Sequence, residues 1–320
     1  MNVSNLPASD LLSSQLGPVV QDAEEGAPYS TCLCVTQSMM LTSPPETFLL
    51  FSQDIPSNNL GFVDQKAEVI ELEIAGREYF IRQSPGLLNS NNHSGTTGAV
   101  LWKVTPLLAE WLSSRPPILA ALNALHPQAT VVELGCGLNG LIGQVLSHSV
   151  RRYVFTDLPF IIRHLKTNLV EATPSRRKHE QKHKKPTSPP TRPVPGQDVL
   201  QFCALNWETD EAETLNPTLT SDGSIDLVIL CDCVYNEYLV KPLVQTCADI
   251  CRLGQKGNKP PVMIIAQQLR SDIVFEEFLD KLIQHFNVWR VPGDKILSGL
   301  GTNSGYVVHL AILKDMEDGA

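Results

Sequence analysis

A chain of 320 residues, 42% hydrophobic and 18% charged, is long enough to bury a full α/β core and still carry tails or insertions. Its formal charge of −9 argues against a general nucleic-acid binder, and its eight cysteines, with no Cys-x-x-Cys pair and no secretory spacing, read as reduced thiols that fill the core. The first 26 residues lack a basic start and an apolar h-region, and no apolar run approaches the ~18 residues of a membrane span, so a soluble, cytoplasmic protein is expected.

Residues 1–60 mix Ser, Pro, Asn and acids and are expected to form a largely disordered lead, with residues 47–53 as a candidate edge strand. Residues 61–98 make an extension. In it, residues 68–83 alternate as a β-hairpin: Ile70, Leu72 and Ile74 face one way, Glu71 and Glu73 the other, and Ala75-Gly76 turns the chain. A Ser/Asn/Gly loop follows at 84–98, and the remaining 99–320 read as a catalytic domain. Trp102 stands between that loop and a helix expected at 106–112. There it either closes over a ligand or packs in the core.

The most informative stretch is 130–140. The apolar, β-branched run Thr130-Val131-Val132 predicts a buried parallel strand, followed by Glu133 and then by Gly135, Cys136, Gly137 and Gly140, which lead into a helix over 141–148. Gly-x-Gly-x-x-Gly suits a dinucleotide, and Asp157 lies where a ribose-binding acid belongs, 22 residues beyond Gly135. The glycines alone do not separate NAD from S-adenosylmethionine, nor either from a turn without ligand. Glu133 favours the methyl donor, because a carboxylate two residues before the first glycine repels a pyrophosphate but suits a ligand bearing an ammonium and a sulfonium.

A second strand over 151–156 delivers Asp157, which either accepts hydrogen bonds from ribose hydroxyls or caps the helix that begins at Leu158-Pro159. Residues 174–196 form a Pro/Lys/Ser tract, expected to be a disordered insertion. Seven of the 25 basic residues and one acid fall between Ser175 and Arg192, leaving 18 basic against 33 acidic residues elsewhere. That basic run is a candidate nuclear-import or RNA-contact patch, and the acidic remainder suits a cationic partner. A third strand at 199–205 delivers Trp207, which either lies against an adenine or packs in the core. The most apolar strand, 225–230, ends in Cys231-Asp232-Cys233-Val234-Tyr235-Asn236. A carboxylate at the end of a central strand points to chemistry at Asp232, with Tyr235 facing the same cavity, whereas Cys231 and Cys233 lack the further ligands a zinc site needs. Helices at 238–251 and 272–284 flank a strand at 261–267. Strands at 287–291 and 306–313 have no helix between them and are expected to pair antiparallel.

Together, Val100-Leu101-Trp102, Glu133 to Gly137 as Glu-x-Gly-x-Gly, and Asp232 to Tyr235 as Asp-x-x-Tyr resemble the seven-strand lysine methyltransferases of the methyltransferase-like group. Thr96-Thr97-Gly98, Asn206-Trp207-Glu208, Asn236-Glu237-Tyr238-Leu239 and Leu269-Arg270-Ser271 tighten the likeness to its fungal ribosomal branch. The resemblance implies a Rossmann-like seven-stranded sheet with helices on both faces and an antiparallel last strand, preceded by the hairpin. It further implies S-adenosylmethionine as cofactor, held by Trp102, Glu133, Gly135, Cys136, Gly137, Asp157, Trp207 and Cys231. Catalysis would fall to Asp232 and Tyr235, with a lysine of a large-subunit ribosomal protein as acceptor. Such an enzyme is expected to act as a monomer in the cytoplasm, with the nucleus also open to it, without reading nucleic acid directly and without a metal. An NAD-dependent oxidoreductase and a catalytically silent, cofactor-bound module are the alternatives.

Overall fold

Strands and helices alternate along most of the chain, and the apolar strands can bury both faces only by stacking in parallel between two helix layers. The computed structural model describes residues 7–20, 45–58, 60–88, 96–172, 199–255 and 259–314. In chain order its elements are α1 (Ala8–Leu16), α2 (Glu46–Phe51), β1 (Val69–Ile74), β2 (Arg77–Arg82), α3 (Pro85–Leu88), α4 (Val104–Ser113), α5 (Pro117–Ala121), β3 (Thr130–Leu134), α6 (Leu141–Leu146) and β4 (Arg152–Asp157). There follow α7 (Pro159–Ala172), β5 (Leu200–Ala204), β6 (Leu227–Cys231), α8 (Glu237–Gly254), β7 (Val262–Gln268), α9 (Asp272–His285), β8 (Phe286–Arg290) and β9 (Tyr306–Leu313). The insertion at 174–196 lies outside the described residues, as do Cys32 and Cys34.

One seven-stranded sheet runs β5-β4-β3-β6-β7-β9-β8. Neighbours from β5 to β7 are parallel, while β9 is antiparallel to both β7 and β8. Chain order reverses between β3 and β6, so the carboxyl ends of those two strands open the crevice in which doubly wound sheets bind ligands. β9 returns without a crossover helix and must therefore run antiparallel, as the sequence leads one to expect.

The hairpin has the expected register, Ile74 opposite Arg77, and both turn residues, Ala75 and Gly76, take positive φ (49° and 72°). Such φ values belong to the hairpin turn whose twist matches that of its strands.

The expectation of a largely disordered lead is corrected at two places. α1 buries Leu11 and Leu12, Ser13 Oγ accepts a hydrogen bond from Trp289 Nε1 at 3.1 Å, and the Val20 N–H donates to the Val288 carbonyl at 2.8 Å on the sheet edge. Residues 47–53 are not an edge strand either. α2 starts after Pro45, and Glu46, Thr47 and Leu50 share its inner face, a helical spacing that a six-residue apolar run conceals from pattern reading.

Candidate active site

At the carboxyl end of β3 the chain leaves the sheet through Gly135 and Gly137, both at positive φ (66° and 65°), and enters α6 from Gly140 at φ 55°. The close approach these glycines allow is to protein. A Cβ on Gly135 would stand 2.9 Å from Cys233 Sγ and 3.2 Å from the Trp207 ring, and one on Gly137 would stand 3.0 Å from the Gly98 carbonyl oxygen. Gly98 in turn accepts the Leu138 N–H at 2.8 Å, so the turn before α4 clasps the glycine loop.

Asp157, at the end of β4, accepts the Gly137 N–H on Oδ2 (2.9 Å) and the Leu158 N–H on Oδ1 (2.7 Å). It is therefore a staple of the loop as well as a candidate ligand. Burial pushes its carboxyl up to about 6 despite those two donors. Glu133 is buried, its Oε2 accepts the Tyr153 hydroxyl at 2.8 Å, and burial pushes it up to about 8.

These groups line one cavity of about 600 Å³ at the switch point, and all ten residues expected at the site border it: Trp102, Glu133, Gly135, Cys136, Gly137, Asp157, Trp207, Cys231, Asp232 and Tyr235. Trp207 is half-buried, and its indole Nε1 is buried with no partner among the described residues. The buried thiol of Cys136 points away from chemistry, since burial raises it well above the ordinary range. Cys231 Sγ lies 3.6 Å from Thr105 Oγ1, and its thiol is raised likewise.

The loop after β6 also lines the cavity. Asp232 takes φ 61°, a left-handed conformation that aspartate tolerates better than most side chains, and Gln267 clamps the loop: its Nε2 donates to the Val234 carbonyl (2.8 Å) and its Oε1 accepts the Val234 N–H (3.1 Å). The Asp232 carboxylate is not free. Both Arg270 nitrogens donate to it, Nη1 at 2.8 Å, and the Arg270 guanidinium lies over the Trp102 ring at 4.5 Å. Phe62 packs on Trp102 with ring centroids 4.2 Å apart, and residues 61–63 pair with 101–103. Tyr235 is 41% exposed and sits beside Thr97. Burial raises its hydroxyl.

Residues 194–285 match the family model described as lysine methyltransferase. The ribosomal lysine N-methyltransferase 5 of Zygosaccharomyces rouxii is 29% identical over 228 residues, which cover 66% of this chain and 72% of that one. These matches make the chain similar to lysine methyltransferases. A Schizosaccharomyces pombe protein named diaminohydroxyphosphoribosylamino-pyrimidine deaminase is 28% identical over 78% of this chain, which spans only about half (53%) of its length. Among solved structures, a 16S rRNA N2 G1207 methyltransferase of T. thermophilus aligns over 81% of this chain and 52% of its own at a TM-score of 0.44 and 15% identity.

The methyltransferase matches support S-adenosylmethionine as the cofactor. The site suits that donor on its own evidence. The buried Glu133 and half-buried Asp157, both raised by burial, suit a cation or hydroxyl donors, and the orphaned Trp207 N–H suits an acceptor.

Sequence reasoning assigned no role to Gln267, Arg270 or Phe62. Gln267-Gln268 was the available signal, since two amides at the carboxyl end of an apolar strand next to β6 need partners: Asp232 accepts from the Gln267 amide, and Gln268 Oε1 accepts from Gly61 N–H and Arg270.

Proposed function

We propose that the chain methylates a lysine of a large-subunit ribosomal protein, with Asp232 and Tyr235 at the reacting end of the cavity. The observation that carries this reading is that Glu133, Asp157, the unsatisfied Trp207 N–H, Asp232 and Tyr235 all line one cavity. When bound, S-adenosylmethionine supplies a methyl carbon already activated on a sulfonium, so the protein needs no covalent nucleophile. Its side chains have to hold donor and amine in line, exclude water and offset charge that develops on the amine nitrogen.

Glu133 is assigned to the donor's ammonium, Asp157 to its ribose hydroxyls and Trp207 to its adenine end. Trp102, the backbone from Gly135 to Gly137 and that at Cys231 form the surrounding wall. Asp232 is the group that meets charge on the amine, and Tyr235 orients the amine or walls its channel. In this reading 99–320 is the methyltransferase domain, and the preceding hairpin and residues 61–63 buttress its acceptor side through Phe62.

The ribosomal acceptor rests on the name of the yeast relatives and on the acidic balance outside the basic insertion, which suits a basic partner. The enzyme works as a monomer in the cytoplasm, with the basic insertion giving access to the nucleus, and without direct nucleic-acid readout. Labelled methyl donor added to ribosomal proteins from cells lacking this chain tests the proposal. One large-subunit protein should take up label on lysine, and mass spectrometry of the same protein from normal cells should show that lysine already methylated. Label on RNA, or on no ribosomal protein, would remove the ribosomal assignment.

A further inference from the structure

Arg270 is held more firmly than an accessory surface residue. Its guanidinium grips both oxygens of Asp232, whose side chain is 2% exposed, lies over Trp102, and donates from Nη2 to Gln268 Oε1 at 3.1 Å. The same Gln268 oxygen accepts the Gly61 N–H at 3.0 Å. Asp232 Oδ1 further accepts Gln267 Nε2 (3.1 Å) and the Gln268 N–H (3.2 Å), so one carboxylate oxygen is filled and the other meets Arg270 alone. Arg270 keeps a side chain 26% exposed, and an ion pair open to water on one side adds little stability, so stability alone does not account for this one.

Chemistry does. A lysine amine attacks only when deprotonated, yet a bare carboxylate about 5 Å away raises its pKa by about two units at the effective dielectric of a protein site. We propose that Arg270 is a positioning residue for methyl transfer, holding the Asp232 carboxylate and offsetting its charge so that the acceptor amine enters beside a neutral pair. The inference rests on the reading of this cavity as a lysine-methylating site.

The other titratable groups around the pair leave this balance in place. Tyr306 on β9 is pushed up to about 12, and Cys231 and Cys233 well above the ordinary thiol range, all by burial first, so they are neutral near physiological pH. Tyr235 is raised too, with Asp157 among the causes, and Glu133 and Asp157, raised by burial to about 8 and about 6, are unchanged by substitutions at the pair.

The test uses the full chain in excess over large-subunit ribosomal proteins, with saturating donor, and reads single-turnover rate constants from about pH 6 to 10. Absence of any lysine labelling by the wild type would end the functional reading itself, before Arg270 is at issue. Given wild-type labelling, Arg270→Gln should move the acid limb of the profile up by about one to two pH units, because Asp232 is left unopposed. Asp232→Asn should move it the other way, because the Arg270 cation is then unopposed. Arg270→Lys should keep the limb in place at a lower rate. A limb unmoved in the Gln and Asn variants, whatever their melting temperatures, would make the pair a structural bridge and overturn the proposal. If Arg270→Gln does not fold, the Asn variant decides: a downward limb supports the proposal, and an unmoved or upward one refutes it.

Discussion

Glu133 shows how a single buried side chain ties folding to ligand binding. Its carboxyl, ordinarily near 4.5, stands at about 8 because burial outweighs the hydrogen bond from Tyr153. The native state therefore holds a proton that the unfolded chain releases, and this group's contribution to stability falls as pH rises from about 4.5 to about 8. A donor ammonium beside it reverses the preference, so binding should release a proton near pH 7, and affinity should rise with pH up to about 8. Calorimetry in two buffers of different ionisation enthalpy reads this directly. Equal apparent enthalpies in the wild type would show that Glu133 does not meet the ammonium, and Glu133→Gln should abolish any release. Trp207→Phe keeps an aromatic ring against Gly135 but removes the orphaned N–H, and should weaken donor binding by about tenfold at unchanged melting temperature. Unchanged affinity would mean that the N–H is not aimed at the donor. Asp232→Asn preserves shape and removes charge. At the pH plateau it should slow transfer by about 10²-fold with donor affinity nearly constant, and a wild-type rate would make Asp232 structural.

Two short elements matter more than their lengths suggest, one to the site and one to the sheet edge. α6 sits so close to β4 that a Cβ on Gly143 would fall 2.2 Å from the Phe155 ring, and this contact sets the height of the glycine loop above the sheet. Gly143→Ala should therefore destabilise the fold by about 1–3 kcal/mol, as overpacking does, and weaken donor binding as α6 lifts. Urea titration and a binding isotherm on the folded variant separate the two effects, and a neutral substitution would show that α6 has room. α1 covers the edge strand β8, where Leu12 is fully buried and Val20 hydrogen-bonds to Val288. An uncovered edge invites pairing with another chain, and α1 closes it. Leu12→Ala should destabilise the fold by about 2–5 kcal/mol with donor affinity unchanged. A loss below about 0.5 kcal/mol would mean that α1 does not dock in solution.

At the scale of the whole molecule, the site exists because the sheet reverses direction between β3 and β6 and gathers residues more than 130 positions apart, from Trp102 to Tyr235, around one crevice. A ligand that binds only this assembled state raises its stability, by about 2.7 kcal/mol at a hundredfold excess over Kd. S-adenosylhomocysteine should therefore shift the melting temperature upward and NAD should not. The opposite pattern would mean that the cavity is built for a dinucleotide.

The periodicities alone determined the alternating strands and helices, the hairpin turn at Ala75-Gly76, and the antiparallel ending, because each follows from side-chain spacing and from a missing crossover helix. Glu133, Asp157, Asp232 and Tyr235 were likewise legible, since polar groups at the ends of apolar strands stand out against their neighbours. Only the tertiary structure decided how those groups are partnered. That Gly135 makes room for Cys233 and Trp207, that Asp157 staples the glycine loop, that α1 caps β8, and that Asp232 is held by Arg270 over a Trp102 braced by Phe62 all depend on contacts between distant segments. Local spacing carries no record of such contacts, because it reports which face a residue occupies and not which partner that face meets.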